Sequence, residues 1–255
     1  MFSTYTCIEV GYGAWFIWKF NRKGKNGIPA PERVLMPPEC LWNPQAMAER
    51  LTVPVPKGKV LFLLSTAQTV VRLTGRADAE TDASAAFPFG DQSDKYVFGC
   101  NTLGDTKWLT AVPANISDSL VEMCRIKGIR PGRIAVIDTL EYRMAEYFGK
   151  LYGSSHSPLW LLIPQEPGIR LVVLEKGVPQ SSYFFSNAPD FRYNELLRIW
   201  LCQSNLPMHV IVLAEDEKYR WLREFFEEKS VELLKCETTQ NFKKNMMEEW
   251  ANFVR

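Results

Sequence analysis

The middle of the chain contains acidic residues whose side chains could hold catalytic metal ions: Asp105, Asp138, Glu141 and Glu146. Metal-ion catalysis of this kind needs carboxylates that project together from the central strands of a sheet. The strands that we predict at residues 159–163 and 169–174 contain no acidic residue. We therefore interpret the four acids as helix caps and solvated side chains.

Histidine and cysteine offer little further chemistry. His156 lies in a serine-rich linker without the GxSxG turn of a serine hydrolase, and His209 begins an apolar run. The six cysteines stand singly, with no CxxC pair and no nearby histidine, so their spacing argues against a zinc site. We expect buried free thiols in a reducing compartment.

Two glycine-containing turns could bring the backbone close to a ligand. The first, at residues 11–13, separates two apolar runs and predicts a hairpin. The second, at residues 164–168, joins the first two strands of a predicted three-strand meander that spans residues 159–185. The first turn is an incomplete match to GxGxxG and opens a strand rather than a helix, which disfavours a dinucleotide-binding fold.

Composition limits the classes of partner. The chain has 255 residues, 46% of them hydrophobic, and a formal net charge of +1, so no overall field favours nucleic acid. Its apolar runs are far shorter than the roughly 20 residues that cross a bilayer, and its first residues do not resemble a signal peptide. We expect a cytoplasmic protein of two domains.

The order of the predicted elements indicates the architecture. After the meander, the pattern predicts helix, strand, helix, strand and helix. The first part opens with the hairpin and later has a strand at residues 134–137 followed by a helix. A linker rich in glycine and serine at residues 153–158 divides the chain, so we predict one subdomain at 1–152, with a strand-rich insertion, and a second at 153–255.

This order resembles the ribonuclease H-like domain in its duplicated form, the actin-like ATPase fold. Within that superfamily the chain is similar to the pilus and secretion assembly proteins of the PilM and GspL type. Three stretches carry the resemblance: KVLFLLSTAQTVVRLTGR with the later Phe87-Pro88, LTAVPANISDSLVEMCRIKGIRPGRIAVIDTLEYRMAEYF, and LWLLIPQEPGIRLVVLEKGVP. The resemblance implies an α/β fold of two ribonuclease H-like subdomains, each with a mixed sheet flanked by helices.

The resemblance also implies a nucleotide site. In members that bind ATP, an aspartate and small residues in the first hairpin hold Mg²⁺ and approach the phosphates, and a glycine of the meander turn does the same from the other side. The matching positions here are Glu9, Gly11, Gly13 and Gly168. These are the residues that would bind a cofactor if Mg²⁺ and ATP are bound at all.

The chain departs from the pattern of the ATP-binding members. Tyr12 and Trp15 are bulky where hydroxyl side chains are expected, and Pro164 and Pro167 lack an amide donor. Glu166 is negative where phosphate would lie, and residues 214–216 contain no Gly-Gly pair. We therefore predict a pseudo-ATPase that is not an enzyme and has no cofactor. The alternative is an ATP-binding actin-like ATPase or small kinase that uses the cleft between the subdomains.

The implied role is a scaffold that acts by binding proteins. The resemblance implies an inner-membrane assembly platform of type IV pilus or type II secretion machinery, with a membrane-anchored platform protein or the secretion ATPase as the partner. It allows a homodimer, involves no nucleic acid, and reaches the membrane only through partners. By the same resemblance, a partner peptide would bind near the strand pair Lys59 to Thr74.

Overall fold

The computed structural model describes residues 4–21, 30–52, 58–66, 68–75, 83–130, 134–153, 155–165, 168–186, 193–213, 217–234, 243–247 and 249. Its strands are β1 (Thr4–Gly11), β2 (Gly13–Asn21), β3 (Glu32–Met36), β4 (Lys59–Ser65), β5 (Val70–Gly75), β6 (Tyr96–Leu103), β7 (Thr106–Pro113), β8 (Ile134–Thr139), β9 (Leu159–Gln165), β10 (Gly168–Glu175), β11 (Val178–Ser186), β12 (His209–Val212) and β13 (Glu232–Leu233). Its α-helices include α1 (Pro44–Arg50), α2 (Ala114–Ile126), α3 (Leu140–Tyr152), α4 (Tyr193–Gln203) and α5 (Arg220–Glu228), and residues 243–247 are also helical.

The first sheet has the strand order β3-β2-β1-β4-β8. The predicted hairpin is confirmed: β1 and β2 pair antiparallel, with Glu9 opposite Phe16. Strands β1, β4 and β8 run parallel, so Gly11 pairs with Ser65, and Thr139 lies opposite the residue before Ser65. The carboxyl ends of these three strands therefore lie side by side.

The second sheet has the order β11-β10-β9-β12-β13. The predicted meander is confirmed, because β9, β10 and β11 pair antiparallel in sequence order, while β12 runs parallel to β9. Lys176 and Gly177 form the tight turn between β10 and β11 with φ angles of 49° and 79°. Two successive left-handed residues are typical of the two-residue hairpin turns that suit the twist of a sheet.

The third sheet, β5-β7-β6, is the strand-rich insertion between β4 and β8. Its edge strand β5 packs beside β11, the edge strand of the second sheet. Further contacts join the same regions, since Gly104 in the β6–β7 turn lies against Val178 at the start of β11. The insertion therefore bridges the two larger sheets.

Three apolar layers hold the sheets and helices together. One lies between the two larger sheets and includes α3 with Met246 and Met247. A second packs α1 and α2 on the outer face of the first sheet, and a third packs α4 and α5 on the outer face of the second. The predicted α/β class, with mixed sheets flanked by helices, is confirmed.

Two further expectations concern cysteine and the membrane. The described cysteines are free thiols, but the expectation that they are buried is wrong for Cys100 and Cys202, which are exposed. No helix in the described part of the chain is both long and apolar enough to cross a bilayer.

Helix α3 packs directly on the β10–β11 turn through three glycines. A Cβ added to Gly149 would lie 2.3 Å from the carbonyl oxygen of Gly177, and one added to Gly153 would lie 2.1 Å from the Cα of Gly177. Because backbone atoms cannot move aside cheaply, we expect Gly149→Ala to lower the free energy of unfolding by about 1–3 kcal/mol. Urea denaturation measures this loss. Gly75→Ala is the control, since a Cβ there meets no atom within 4 Å, and an equal loss in both variants would contradict the prediction.

Candidate functional site: an ion-paired cleft

Buried charged and polar side chains lie where the central strands of the two larger sheets end. Glu9 is on β1, Asp138 is near the end of β8, Glu141 is in the first turn of α3, and Gln165 ends β9. Arg170, on β10, is buried with them. We call these five residues, together with the basic side chains that contact them, the ion-paired cleft.

Glu9 forms an ion pair with the last helical segment of the described chain. The Nζ atom of Lys243 lies 2.6 Å from Glu9 Oε1, and both side chains are largely buried. The same Nζ atom lies 5.5 Å from the centre of the Phe16 ring, a distance at which the ring face attracts a cation. Glu9 Oε2 is buried and has no hydrogen-bond partner among the described residues.

Asp138 pairs with an arginine on the next helix. The Nε atom of Arg143 donates to Asp138 Oδ2 at 2.8 Å, and the Thr139 amide donates to Asp138 Oδ1 at the same distance. Arg143 also donates to Glu146 at 2.9 Å. Burial raises the pKa of the Asp138 carboxyl, and the charge of Arg143 opposes that rise.

Glu141, Gln165 and Arg170 form a chain of hydrogen bonds from α3 to the second sheet. Gln165 Nε2 donates to Glu141 Oε2 at 2.7 Å, and Arg170 Nε donates to Gln165 Oε1 at 2.9 Å. Arg170 Nη2 donates to the carbonyl oxygen of Thr69 at 3.0 Å, and its Nε atom is 3.4 Å from Glu141 Oε1. Burial raises the pKa of Glu141 and lowers that of Arg170, and in each case the opposite charge of the partner opposes the shift.

Each buried carboxylate of the cleft is therefore matched by a cation of the same chain. The pairs are Glu9 with Lys243, Asp138 with Arg143, and Glu141 with Arg170. Burying a charge is costly unless it is paired, so these contacts fix the relative positions of the elements that supply them. The elements are β1 and the C-terminal helical segment, β8 and α3, and α3 and β10.

The predicted cofactor residues belong to the two larger sheets. Glu9, Gly11 and Gly13 belong to the first hairpin, and Gly168 begins β10. A Cβ added to Gly11 would lie 2.7 Å from the Ala14 carbonyl oxygen, and one added to Gly168 would lie 2.3 Å from that of Phe185. Contacts with the chain's own backbone thus account for both glycines, and their role toward a cofactor stays a prediction.

The bulky residues of the first turn do not fill the cleft. Trp15 is fully buried in the layer beneath α1 and α2, on the opposite face of the first sheet, while Tyr12 is exposed. Pro164 is part of β9 and pairs with Ile169. The other predicted departures rest on residues 166–167 and 214–216, which lie outside the described residues.

Our interpretation of the acidic residues as caps and solvated side chains is wrong for Asp138 and Glu141. Both side chains are buried. Asp138 Oδ1 accepts a hydrogen bond from the Thr139 amide, and Asp138 lies near the end of β8 rather than at a solvated helix cap. One signal in the sequence could have located the pair with Glu141: Arg170 is a single charge inside an apolar strand, which requires a buried partner. No local pattern indicates Lys243, which lies 234 residues from Glu9.

Mg²⁺ with ATP is the cofactor alternative, and one cleft residue fits it. Mg²⁺ is commonly held by one or two carboxylates together with phosphate oxygens and water. Among the described residues, no group of three or more His, Cys, Asp and Glu side chains could hold a metal ion. Glu9, with its buried and unpartnered Oε2, could supply a single carboxylate ligand beside a nucleotide.

Comparison with solved structures identifies the fold. The chain is similar to a Bacteroides thetaiotaomicron protein with actin-like ATPase fold and unknown function, with a TM-score of 0.71 and 10% identity over 96% of this chain and 95% of that chain. It is similar to a chain of the PilM-PilN type IV pilus biogenesis complex, with a TM-score of 0.62 and 15% identity over 97% and 98%. No family model and no curated protein matches the sequence.

A third match is the cytoplasmic domain of EpsL, an inner membrane component of the type II secretion system of Vibrio cholerae. Its TM-score is 0.54, with 11% identity over 98% of this chain and 95% of that chain. At such identities the matches establish the fold alone. The protein has the actin-like ATPase fold, an α/β architecture of two subdomains, each with a mixed sheet flanked by helices.

The prediction that the chain is not an enzyme is contradicted. The chain also matches a candidate 2-dehydro-3-deoxygalactonokinase of Sinorhizobium meliloti, with a TM-score of 0.52 and 8% identity over 97% of this chain and 96% of that chain. A candidate enzyme therefore has this fold over nearly the full length of both chains. The altered turns of the first hairpin and the meander do not by themselves exclude catalysis.

Proposed function

We propose that this protein is a protein-binding member of the PilM and GspL type, within an inner-membrane assembly platform of type IV pilus or type II secretion machinery. Two matches, the PilM-PilN complex chain and the EpsL cytoplasmic domain, support the proposal because they extend over nearly all of both chains. The proposed partners are a membrane-anchored platform protein or the secretion ATPase. The protein would then be cytoplasmic and peripheral to the inner membrane.

The observation that carries this proposal is the ion-paired cleft. Arg170 on the second sheet donates to the Thr69 carbonyl oxygen, just before β5, and Gln165 donates to Glu141 on α3. These buried bonds hold the two larger sheets and the insertion in one arrangement. A protein that serves as an assembly platform needs subdomains that keep a fixed arrangement relative to one another. The subdomain bounds 1–152 and 153–255 and a homodimer remain further proposals.

We place the partner contact on the insertion. Of the strand pair Lys59 to Thr74, β4 is almost entirely buried, whereas β5 has exposed or half-exposed residues along its length. Val70, at the start of β5, is 41% exposed. An exposed apolar side chain on a fixed strand is suited to contact a peptide.

Isothermal titration calorimetry tests this proposal with peptides from the cytoplasmic segments of inner-membrane pilus or secretion platform proteins of the same genome. We expect micromolar binding to one peptide and at least tenfold weaker binding after Val70→Glu, because the new charge must be desolvated. Val121→Glu is the matched control, since Val121 is comparably exposed on α2 at 37%. Equal weakening by both variants would contradict a contact on β5.

The second candidate function is an ATP-binding ATPase or small kinase. The match to a candidate kinase and the unpartnered carboxylate oxygen of Glu9 favour it. Calorimetric titration with Mg²⁺ and ATP tests it. Micromolar binding that Glu9→Gln abolishes would support this candidate, and the absence of binding would count against it while leaving the peptide test unaffected.

A further inference from the structure

Large apolar side chains gather on the outer side of α4. Leu196 is 49% exposed and Ile199 is 54% exposed, and helical spacing places both on one side of the helix. Trp200 lies one turn after Leu196, and its ring centre is 5.4 Å from that of Tyr183 on β11, which is 43% exposed. We call these four residues the α4 face. An exposed apolar patch that contains aromatic residues is typical of a protein-binding surface.

The α4 face is preformed because the helix is fixed on the second sheet. Leu197 and Leu201, on the other side of α4, are fully buried in the layer between the outer helices and this sheet. The Trp200 ring also packs beside the rings of Trp160 on β9 and Phe185 on β11, with ring centres 5.5 Å apart in each case. A preformed surface binds a partner without the cost of ordering its own side chains.

The charge of these elements favours a second copy of the chain as the occupant. Helix α4 contains one acidic residue, Glu195, and one basic residue, Arg198, and β11 contains neither. The Arg198 guanidinium lies 6.0 Å from the centre of the Trp221 ring on α5. Elements without net charge can meet their own copy without repulsion, whereas they offer little attraction to a strongly charged partner. Two-fold pairing, in which one patch meets the same patch, is the commonest arrangement in protein oligomers.

We propose that the α4 face is a two-fold interface through which two copies of this chain associate, with their α4 helices crossing near Ile199. In this dimer, Leu196 and Ile199 of each copy lie against the α4 helix of the other, and Tyr183 and Trp200 border the contact. Burying these side chains removes apolar surface from water, which is the main favourable contribution to association. The interface gives the proposed homodimer a defined surface and depends on neither candidate function.

The α4 face is separate from the ion-paired cleft. In the β10–β11 ladder, Tyr183 pairs with Leu171, whose side chain is buried in the layer that contains α4 and α5. The adjacent Phe184 instead lies against Arg170 of the cleft. Side chains alternate between the two faces of a sheet, so the α4 face and the cleft lie on opposite sides of the second sheet. Association of two copies therefore leaves the cleft uncovered.

Sedimentation velocity of the full chain at concentrations from about 1 to about 100 µM tests the proposal. We expect a reversible dimer that Ile199→Glu weakens at least tenfold, because two like charges would be buried near the two-fold axis. Leu151→Glu is the matched control and should leave the dimer unchanged, since Leu151 is 52% exposed on α3, outside the α4 face. The proposal is overturned if the protein stays monomeric, which would leave the face to a different partner, or if the two variants weaken association equally or not at all.

Thiol cross-linking is a second measurement, in case Ile199→Glu does not fold. Cys202, one turn after Ile199, is exposed, as is Cys100 on the insertion, whereas the other described cysteines are buried. In antiparallel helices that cross near Ile199, the two Cys202 residues lie roughly 10–15 Å apart, within the span of a flexible bismaleimide.

We expect a cross-linked dimer from the unchanged protein and from Cys100→Ser, and its loss in Cys202→Ser. A cross-linked dimer that persists in Cys202→Ser, or none from the unchanged protein, would overturn the proposal. Neither measurement contains ATP or a partner peptide, so failure here is distinguishable from failure of either candidate function.

Discussion

Replacement of Arg170 by methionine is expected to lower the free energy of unfolding by about 3–5 kcal/mol. The reason is the partner left behind: Glu141 is fully buried, and Arg170 is the cation beside it. The substitution also removes the donor to Gln165, which lies on the neighbouring strand of the same sheet, and the donor to the Thr69 carbonyl oxygen, which joins the second sheet to the insertion. Urea denaturation at neutral pH, followed by circular dichroism, measures the loss.

Arg220→Met is the matched control. Arg220 contacts two carboxylates, those of Glu217 and Glu224, but its side chain is 66% exposed. Exposed ion pairs contribute little, so this variant should remain within about 0.5 kcal/mol of the unchanged protein. Comparable losses of unfolding free energy in the two variants would show that burial of the Arg170 network contributes nothing to stability.

The sequence predicted the fold because local patterns determine most of its elements. The meander follows from two apolar runs, a proline and glycine turn and a short second turn, and the structure places β9, β10 and β11 there. Helix α1 begins at another local signal, an asparagine followed by a proline, and Asn43 Oδ1 accepts from the Ala46 amide at 3.0 Å. Such signals act within a few residues, so they can be read from one sequence.

The candidate site was only partly predictable from the sequence, because its ion pairs depend on tertiary packing. Glu9 was singled out from its place in the first hairpin, but its partner is 234 residues away in the chain. In the sequence, Asp138 and Glu141 follow the strand predicted at residues 134–137, as capping residues also do, and only tertiary packing buries them. The turn glycines were predicted for a ligand, whereas close backbone approach already explains Gly11 and Gly168.

The stability lost in Arg170→Met is expected to depend on pH. In the unchanged protein, burial raises the pKa of Glu141 above its ordinary value of 4.5, and Arg170 counters part of that rise. Without Arg170, the pKa of Glu141 in the folded state rises further, so the folded protein holds this proton more tightly than the unfolded chain does. Stability from such a group is fully present below pH 4.5 and is lost as the pH rises through the higher, folded-state pKa.

The deficit of Arg170→Met should therefore be largest near neutral pH and should shrink on acidification, by at most about 1.4 kcal/mol per pH unit for one proton. Urea denaturation of both proteins at a series of pH values between neutral and 4.5 measures the difference. Adding Glu141→Gln to Arg170→Met removes the titrating group, so the difference from the unchanged protein should lose most of this pH dependence. A deficit that grows as the pH falls would mean that Glu141 is not the group left uncompensated, and that the loss arises from the bonds to Gln165 and Thr69 instead.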